Sequence, residues 1–238
     1  MFKKFKENFI KSTFIYKFYR YFRYKRNYHT SFAAMGEDIL LQKIFRNCMN
    51  GFYIDVGALH PVNGSLTYNL SKNGWNGINL DLTYSNIKLL KFFRRRDISI
   101  QTAISSKSGM IDSYIFDEGS GLNTLEKKWA DKWKKSLNKK YSVKKISKIT
   151  LNDLLQKHKV KKEFELLNID VEGHEYEVLK GINLRIYRPK IITVEIHVKK
   201  TDDIFKSSVF KILKKNNYEL ISHYYLTSFF KSAEFEIQ

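Results

Sequence analysis

Two short apolar runs between residues 51 and 81 each end in an aspartate, and this pattern constrains the fold most. The first run ends at Asp55 and turns through Val-Gly-Ala-Leu-His-Pro; the second, Gly-Ile-Asn-Leu, ends at Asp81. In an open α/β sheet, one strand presents a backbone turn to a nucleoside and the next presents a carboxylate to the ribose hydroxyls. The sequence therefore predicts a nucleoside-binding crevice. Its candidate ligand-binding residues are Asp55, Gly57, Ala58, His60, Asp81 and Ala103.

The net charge of +19 is concentrated in two segments. Residues 1–30 contain nine Lys and Arg residues and one acid, and residues 126–148 contain ten Lys residues and two acids. Each segment therefore carries +8, which leaves only +3 for the rest of the chain. Because nucleic-acid-binding domains usually present one continuous basic face, this distribution indicates two local surfaces and disfavours nucleic acid as a partner.

Length and composition predict one globular domain with an N-terminal extension. The chain has 238 residues, 43% of them hydrophobic, and two prolines, which leaves little material for a flexible linker. Cys48 is the only cysteine, so an internal disulfide is excluded and a cysteine-based zinc site is disfavoured. No signal peptide or membrane-spanning stretch is recognisable. We expect a cytoplasmic chain, either free in solution or bound at the inner face of the membrane.

The N-terminal extension, residues 1–30, interleaves aromatic and basic residues. Apolar side chains at positions 2, 5, 9, 10, 14, 15, 18 and 22 approximate helical spacing. Three interpretations stay open. The helix packs on its own domain or on a second copy of the chain, it lies on a membrane surface, or it binds nucleic acid.

Strands and helices alternate through residues 31–238, which predicts a doubly wound α/β sheet. A lysine-rich insertion at 120–148 interrupts the alternation. The last two strands are joined by a tight turn and must be antiparallel, an ending typical of the seven-stranded methyltransferase sheet and not of a nicotinamide-binding domain. We predict strands at 52–55, 78–81, 98–104, 110–116, 166–170, 191–196, 218–225 and 228–237, and helices at 36–47, 65–74, 85–95, 151–158, 176–180 and 202–216.

The turn after Asp55 disfavours a dinucleotide. It lacks the Gly-x-Gly-x-x-Gly pattern, whose glycine amides bind a pyrophosphate at a helix N-terminus, and it has Leu59 and Pro61 instead. We therefore expect a nucleoside ligand without phosphates. S-adenosylmethionine fits, with its ribose at Asp81 and its amino-acid end at the turn from Asp55 to Gly57.

A second polar cluster follows the apolar run that ends at residue 169. Asp170, Glu172 and His174 are the candidate catalytic residues, because methyl transfer to a hydroxyl needs a group that takes up the hydroxyl proton. The next strand should lie alongside and bring Glu195 and His197 close. Two alternatives stay open: His174 only caps a helix, or a divalent metal ion, which we do not favour, is held by Asp170, Glu195 and His197.

Three segments resemble the FkbM family of methyltransferases, and shorter matches surround them in the same order. The segments are 51–61, 74–81 and 169–175, and the shorter matches are 36–38, 96–97 and 190–195. The resemblance covers about residues 34–200. It implies a class I fold that depends on S-adenosylmethionine, and O-methylation, often in bacterial glycan or polyketide pathways. In one departure, Asp81-Leu82 stands where the family commonly has Glu-Pro, so the charge is kept and the rigid exit from the strand is lost.

We therefore expect an S-adenosylmethionine-dependent O-methyltransferase that acts on a sugar hydroxyl in bacterial surface glycan biosynthesis, such as lipopolysaccharide or capsule. A nucleotide- or lipid-linked acceptor would give both basic segments a use, in phosphate attraction and in membrane contact. The alternatives are an RNA methyltransferase and a non-catalytic binding module. The chain is expected to be either a monomer or a homo-oligomer.

Overall fold

The computed structural model describes residues 13–25 and 30–237 of the chain. The protein consists of two compact units, residues 1–31 and residues 32–238. The larger unit contains the sheet and the predicted crevice.

Helix α1, Phe14–Lys25, is the described part of the basic N-terminal extension. The rings of Phe14 and Phe18 lie 5.0 Å apart and are 74% and 50% exposed. The remainder of the predicted helix falls outside the described residues. Among the helices that are described, none is both long enough and apolar enough to span a bilayer.

The larger unit contains a seven-stranded and a three-stranded sheet. The strands are β1 (Phe52–Val56), β2 (Asn76–Asp81), β3 (Ile98–Gln101), β4 (Ala103–Ile104), β5 (Gly109–Ile115), β6 (Ser142–Ile149), β7 (Glu163–Ile169), β8 (Arg188–Glu195), β9 (Tyr218–Tyr224) and β10 (Thr227–Ser232). The large sheet has the order β3-β2-β1-β7-β8-β10-β9. Its first five strands pair in parallel, whereas β10 pairs antiparallel with both β8 and β9.

The strand order confirms the predicted class I, doubly wound sheet with a C-terminal antiparallel hairpin. From β1 the chain builds outward to β2 and β3, and it then returns to place β7 on the other side of β1. The order therefore reverses between β1 and β7. In open α/β sheets, ligands bind beyond the carboxyl ends of the strands at such a reversal.

Seven α-helices of the larger unit are α2 (Asp38–Ile44), α3 (Tyr68–Lys72), α4 (Tyr84–Phe93), α5 (Lys127–Leu137), α6 (Leu151–Lys157), α7 (Glu175–Lys180) and α8 (Ser208–Lys215). The helix predicted over 202–216 is interrupted. A 3₁₀-helix covers Thr201–Lys206, and α8 begins afresh because the Ser207 side chain accepts a hydrogen bond from the Phe210 backbone amide at 3.0 Å.

The small sheet corrects two sequence predictions. The strand predicted over 98–104 breaks at Thr102, after which Ala103–Ile104 leaves the large sheet and pairs with β6. The lysine-rich insertion was predicted to interrupt the alternation of strands and helices, but it forms α5 and most of β6. The whole length of β5 pairs with β6, and this distant partner stabilises a strand of which only Ser113 and Ile115 are buried.

Core packing places the polar ends of the strands at one edge of the sheet. In β1, Ile54 and Val56 pack in the larger core cluster, whereas Tyr53 packs in the cluster on the opposite side. Because helices cover both faces of the sheet, the central strands are apolar on both faces. The first acidic residues near each strand end therefore mark the edge where a ligand can enter.

Candidate active site

A cavity of about 390 Å³ lies at the carboxyl ends of β1, β2, β7 and β8. Six carboxylates line it, those of Glu37, Asp55, Asp81, Asp170, Glu172 and Glu195. None of the described lysines, arginines or histidines contributes to this lining. The volume suits a small-molecule ligand, and the excess of negative charge favours a cationic ligand over one that carries phosphates.

The turn after β1 passes against the backbone at the end of β7. Gly57 has a φ of +91°, and a Cβ atom added there would lie 1.7 Å from the carbonyl oxygen of Asp170. This position therefore requires glycine for its conformation and for the close approach. The buried carboxylate of Asp55 accepts hydrogen bonds from Thr67 Oγ1 at 2.6 Å and Asn168 Nδ2 at 2.8 Å. Burial raises the pKa of Asp55, and these two hydrogen bonds oppose the shift.

Asp81 is held in one orientation at the end of β2. Its Oδ1 accepts hydrogen bonds from the Thr83 amide at 2.8 Å, Thr83 Oγ1 at 2.9 Å and Asn86 Nδ2 at 3.1 Å, and its Oδ2 accepts one from the Leu59 amide at 3.0 Å. Burial raises the pKa of Asp81, and the hydrogen bonds lower it again in part. Because a carboxylate oxygen can accept about two hydrogen bonds, Oδ2 retains the capacity to bind a further donor in the cavity.

Asp170 directly follows β7, and Glu195 is the last residue of the neighbouring strand β8. The carboxyl groups of these two residues interact. Burial, followed by the charge of Glu195, raises the pKa of Asp170 well above its usual range. Burial raises the pKa of Glu195 to about 8, and the charge of Glu172 adds to this shift. Asp170 is nevertheless exposed in the cavity. The charge of each carboxylate disfavours loss of the proton from the other.

Two tryptophans of the lysine-rich helix α5 pack against the acidic end of the cavity. Trp133 Nε1 donates a hydrogen bond to Glu172 Oε2 at 3.2 Å, and the Trp129 ring lies 4.5 Å from the His197 ring. A Cβ atom on Gly173 would lie 1.9 Å from the Trp129 ring, so glycine permits this contact. From the sequence, only the basic charge of α5 was evident, because nothing in the local pattern shows which surface its tryptophans cover.

His174 does not line the cavity, contrary to the grouping expected from the sequence. It is 4% exposed, and its Nδ1 and Nε2 lie 2.6 Å from Glu126 Oε1 and 3.0 Å from Ser105 Oγ. Both ring nitrogens therefore engage protein groups. His174 occupies the N-cap position of α7, but its side chain makes no capping hydrogen bond. The structure thus brings Asp170 and Glu172 to the cavity and leaves His174 outside it.

Two of the candidate ligand-binding residues also lie outside the cavity lining. His60 Nδ1 accepts hydrogen bonds from the backbone amides of Val62 at 3.1 Å and Asn63 at 2.9 Å, so the ring closes the loop after β1. Ala103 is buried, whereas its neighbours Thr102 and Ile104 line the cavity. Adjacent side chains of an extended chain point to opposite faces. The Ala103 side chain therefore points away from the cavity that its two neighbours line. The other four candidates, Asp55, Gly57, Ala58 and Asp81, do line the cavity.

Arg94 supports the cavity and was not identified from the sequence. This residue is 3% exposed, and its guanidinium donates hydrogen bonds to the Pro61 carbonyl at 2.8 Å and Thr67 Oγ1 at 2.7 Å. Thr67 in turn donates to Asp55. Arg94 therefore holds the loop after β1 and, through Thr67, the orientation of Asp55. In the sequence it opens a run of three arginines, a pattern typical of an exposed helix end.

Residues 55–220 match the family model described as the methyltransferase FkbM domain, which is more than half of the chain. The chain belongs to the FkbM methyltransferase family. The FkbM match begins at the aspartate that ends the first apolar run and includes every strand from β2 to β8. No curated protein matches the sequence at a significant level.

Solved structures of other methyltransferases show distant similarity to this FkbM protein. A TehB-like SAM-dependent methyltransferase from Corynebacterium glutamicum has a TM-score of 0.43 and 11% identity, with coverage of 91% of this chain and 96% of that chain. A precorrin-6y C5,15-methyltransferase from Geobacter metallireducens also has a TM-score of 0.43 and 11% identity, covering 85% and 90%. An O-methyltransferase from Bacillus cereus in complex with SAH has a TM-score of 0.37 and 10% identity, covering 94% of each chain.

The FkbM family assignment and the class I strand order together identify a methyltransferase of the S-adenosylmethionine-dependent type.

Proposed function

We propose that this FkbM protein methylates a sugar hydroxyl in bacterial surface glycan biosynthesis, with S-adenosylmethionine as the donor. The observation that carries the proposal is the cavity at the reversal of strand order, lined by six carboxylates and by none of the described basic side chains. A sulfonium compound with an α-amino group carries positive charge and no phosphate, which suits this lining.

The donor side of the cavity is formed by the ends of β1 and β2. Asp81 Oδ2 can accept a hydrogen bond from a ribose hydroxyl, because only the Leu59 amide occupies it. Gly57 lines the cavity, and we place the amino-acid end of the donor at the turn that this glycine forms. S-adenosylmethionine, when bound, supplies an activated methyl group.

The acceptor side is formed by the ends of β7 and β8. As the new oxygen–carbon bond forms and the sulfur–carbon bond breaks, the hydroxyl proton must leave the acceptor oxygen. The raised pKa values of Asp170 and Glu195 make their carboxylates stronger bases toward that proton than a free carboxylate is. Asp170 is the preferred proton acceptor because it lies open to the cavity and next to the Gly57 turn.

A sugar linked to a phosphate group would suit the surroundings of this acceptor side. The cavity is too acidic to favour a phosphate, whereas α5 beside it carries the lysines at 127, 128, 132, 134 and 135. Trp129 and Trp133 offer aromatic surface between the two regions. We therefore propose that the sugar ring enters the cavity and that the phosphate of a nucleotide- or lipid-linked acceptor remains at α5.

The donor half is tested by calorimetric titration of S-adenosylmethionine into Asp81→Asn and Asp112→Asn variants. Asp112 is the control because it is an exposed acid on β5 and does not line the cavity. We expect the dissociation constant to rise roughly ten-fold or more for Asp81→Asn, the equivalent of one charge-assisted hydrogen bond. Equal losses in both variants would indicate general destabilisation and contradict the assignment.

The acceptor half is tested by incubating the protein and S-adenosylmethionine with a panel of nucleotide sugars, glycan extracts and RNA. Mass spectrometry should show one added methyl group on a sugar. Asp170→Asn should reduce turnover by about 10²- to 10⁴-fold with donor affinity retained, whereas Asp112→Asn, an exposed acid on β5, should not. Methylation of RNA alone would replace the sugar proposal, and donor binding without turnover on any acceptor would favour a non-catalytic binding module.

The exposed aromatic residues of α1 and the basic charge around them support a peripheral position on the cytoplasmic face of the membrane. Phe14, Ile15, Phe18 and Tyr19 are 50–80% exposed, within an extension that holds nine Lys and Arg residues. We propose that this helix lies at an anionic lipid surface, where a lipid-linked acceptor would be found.

A further inference from the structure

A group of potential metal ligands lies at the acceptor end of the cavity. Glu172, Glu195 and His197 each offer one ligand atom, and these atoms lie within 4.8 Å of one another. Glu172 and Glu195 line the cavity, and His197 Nε2 lies 2.8 Å from Glu195 Oε2. The set differs from the one expected from the sequence, because Glu172 takes the place of Asp170.

The spacing of the three atoms is close to that of a coordination shell. With metal–ligand bonds of about 2.1 Å, adjacent ligand atoms lie roughly 3 Å apart and opposite ones roughly 4.2 Å apart. The Glu195–His197 distance of 2.8 Å matches an adjacent pair. Two of the three ligand atoms that lay as much as 4.8 Å apart would need to approach each other by about half an ångström, and rotation of the side chains can supply this movement.

The acidic end of the cavity holds no direct ion pair to any lysine or arginine that the structure describes. No described lysine or arginine forms an ion pair with Glu172 or Glu195, and His197 lies beside the Glu195 carboxylate. Lys132 has its Nζ 3.9 Å and 4.6 Å from the Trp129 and Trp133 ring centroids. Asp170 adds a third carboxylate to this end of the cavity, and a bound cation would relieve the repulsion among the three.

The surrounding side chains fix two of these groups in place. Trp133 Nε1 donates to Glu172 Oε2, and the Trp129 ring packs on the His197 ring. Contacts of this kind orient metal ligands before the ion binds. They come from α5, so a helix distant in sequence holds groups that follow β7 and β8.

We propose that Glu172, Glu195 and His197 bind a divalent cation of the Mn²⁺ type at the acceptor end of the cavity. Carboxylate oxygens suit Mg²⁺ and Mn²⁺, whereas imidazole nitrogen suits transition metals, and Mn²⁺ accepts both. Three protein ligands leave coordination positions open toward the cavity. A cation there would lower the pKa of a bound hydroxyl and so assist its deprotonation.

The test is titration of Mn²⁺ into the full-length protein without donor or acceptor. Binding is monitored by the electron paramagnetic resonance signal of free Mn²⁺ and by tryptophan fluorescence. We expect one site, with quenching that depends on Trp129 because its ring lies 4.5 Å from His197. Glu172→Gln and His197→Gln should each weaken binding by more than about ten-fold. Mg²⁺ should compete for the same site.

Glu163→Gln is the matched control, because Glu163 is an exposed acid at the opposite end of β7. It should leave Mn²⁺ binding unchanged. Absence of binding below about 1 mM, or equal binding by wild type and Glu172→Gln, would overturn the proposal. The Mn²⁺ titration omits donor and acceptor, so its result is independent of the turnover assay. Mn²⁺ binding in the titration with no methyl transfer in the turnover assay would contradict only the proposed function. Methyl transfer without Mn²⁺ binding would contradict only the metal site.

Discussion

Gly57 shows how one residue determines the shape of the donor site. An added Cβ atom would overlap the Asp170 carbonyl oxygen at 1.7 Å, and the φ of +91° also disfavours any side chain. From the sequence, this glycine is expected to allow close approach of the backbone to a ligand. The structure adds a second constraint, close approach to another strand.

We expect Gly57→Ala to destabilise the protein by more than about 1 kcal/mol, the cost of the positive φ alone, and to weaken S-adenosylmethionine binding. Chemical denaturation and calorimetry measure these two effects. Gly36→Ala is the matched control, because Gly36 has a similar φ of +96° with nothing within 4 Å of the added atom. A loss in Gly36→Ala as large as that in Gly57→Ala would refute the steric explanation.

Asp55 should make stability depend on pH in a defined direction. Burial raises its pKa in the folded state above the unfolded value of about 3.9. The folded chain therefore keeps this proton to higher pH than the unfolded chain, and the contribution of Asp55 to stability falls as pH rises through the folded pKa. In urea denaturation at a series of pH values from about 4, the unfolded value, upward, the stability advantage of wild type over Asp55→Asn should decrease with pH. An advantage that grows with pH would contradict the raised pKa.

At the scale of elements, the start of α6 was predictable from local sequence. Thr150 followed by Asp153 predicts a capping box, and Thr150 Oγ1 accepts a hydrogen bond from the Asp153 amide at 3.1 Å. The interruption between the 3₁₀-helix and α8 was not predicted, because apolar spacing continues across Ser207 while its side chain starts a new helix.

Thr150→Ala should lower the free energy of unfolding by about 1 kcal/mol, because the Asp153 amide loses its acceptor. Thr150→Ser retains the hydroxyl and should stay within about 0.5 kcal/mol of wild type. Thermal and urea denaturation of both variants provide the measurement. A loss of unfolding free energy in Thr150→Ser larger than about 0.5 kcal/mol would show that the methyl group of Thr150, and not the hydrogen bond, stabilises this region.

Strand pairing was predictable where runs are apolar on both faces and less so elsewhere. The runs that became β1, β2, β7 and β8 were identified within a few residues, since both faces are buried. The break at Thr102 depends on β6, which contributes Lys148 and Ile149 as partners from far along the chain. No local pattern contains that information.

At the scale of the whole molecule, α1 provides a test of membrane association. Full-length protein should co-sediment with vesicles of phosphatidylglycerol and phosphatidylethanolamine, and less with phosphatidylcholine. Phe14→Ser combined with Phe18→Ser should weaken binding at least ten-fold, because burial of one phenylalanine is worth about 1.5–3 kcal/mol.

Phe92→Ser combined with Phe93→Ser is the matched control, because these residues form an exposed aromatic pair on α4, at 62% and 61% exposure. Equal losses in both double variants would indicate nonspecific hydrophobic adsorption. A change in oligomeric state of the α1 variant, measured by light scattering, would favour packing against a second copy of the chain.

The sequence by itself determined the strands that carry Asp55, Asp81 and Asp170, their order in the chain and the family to which they belong, because buried strands and glycine turns leave local patterns. The tertiary structure decided which polar groups meet. It brought Asp170, Glu172 and Glu195 into one cavity and placed His174 between Ser105 and Glu126. It also folded the lysine-rich segment over the acidic end. These outcomes depend on strand pairing and side-chain direction across distant segments, which spacing along one chain does not specify. The acidic strand ends could therefore be identified from the sequence, but the composition of the site required the fold.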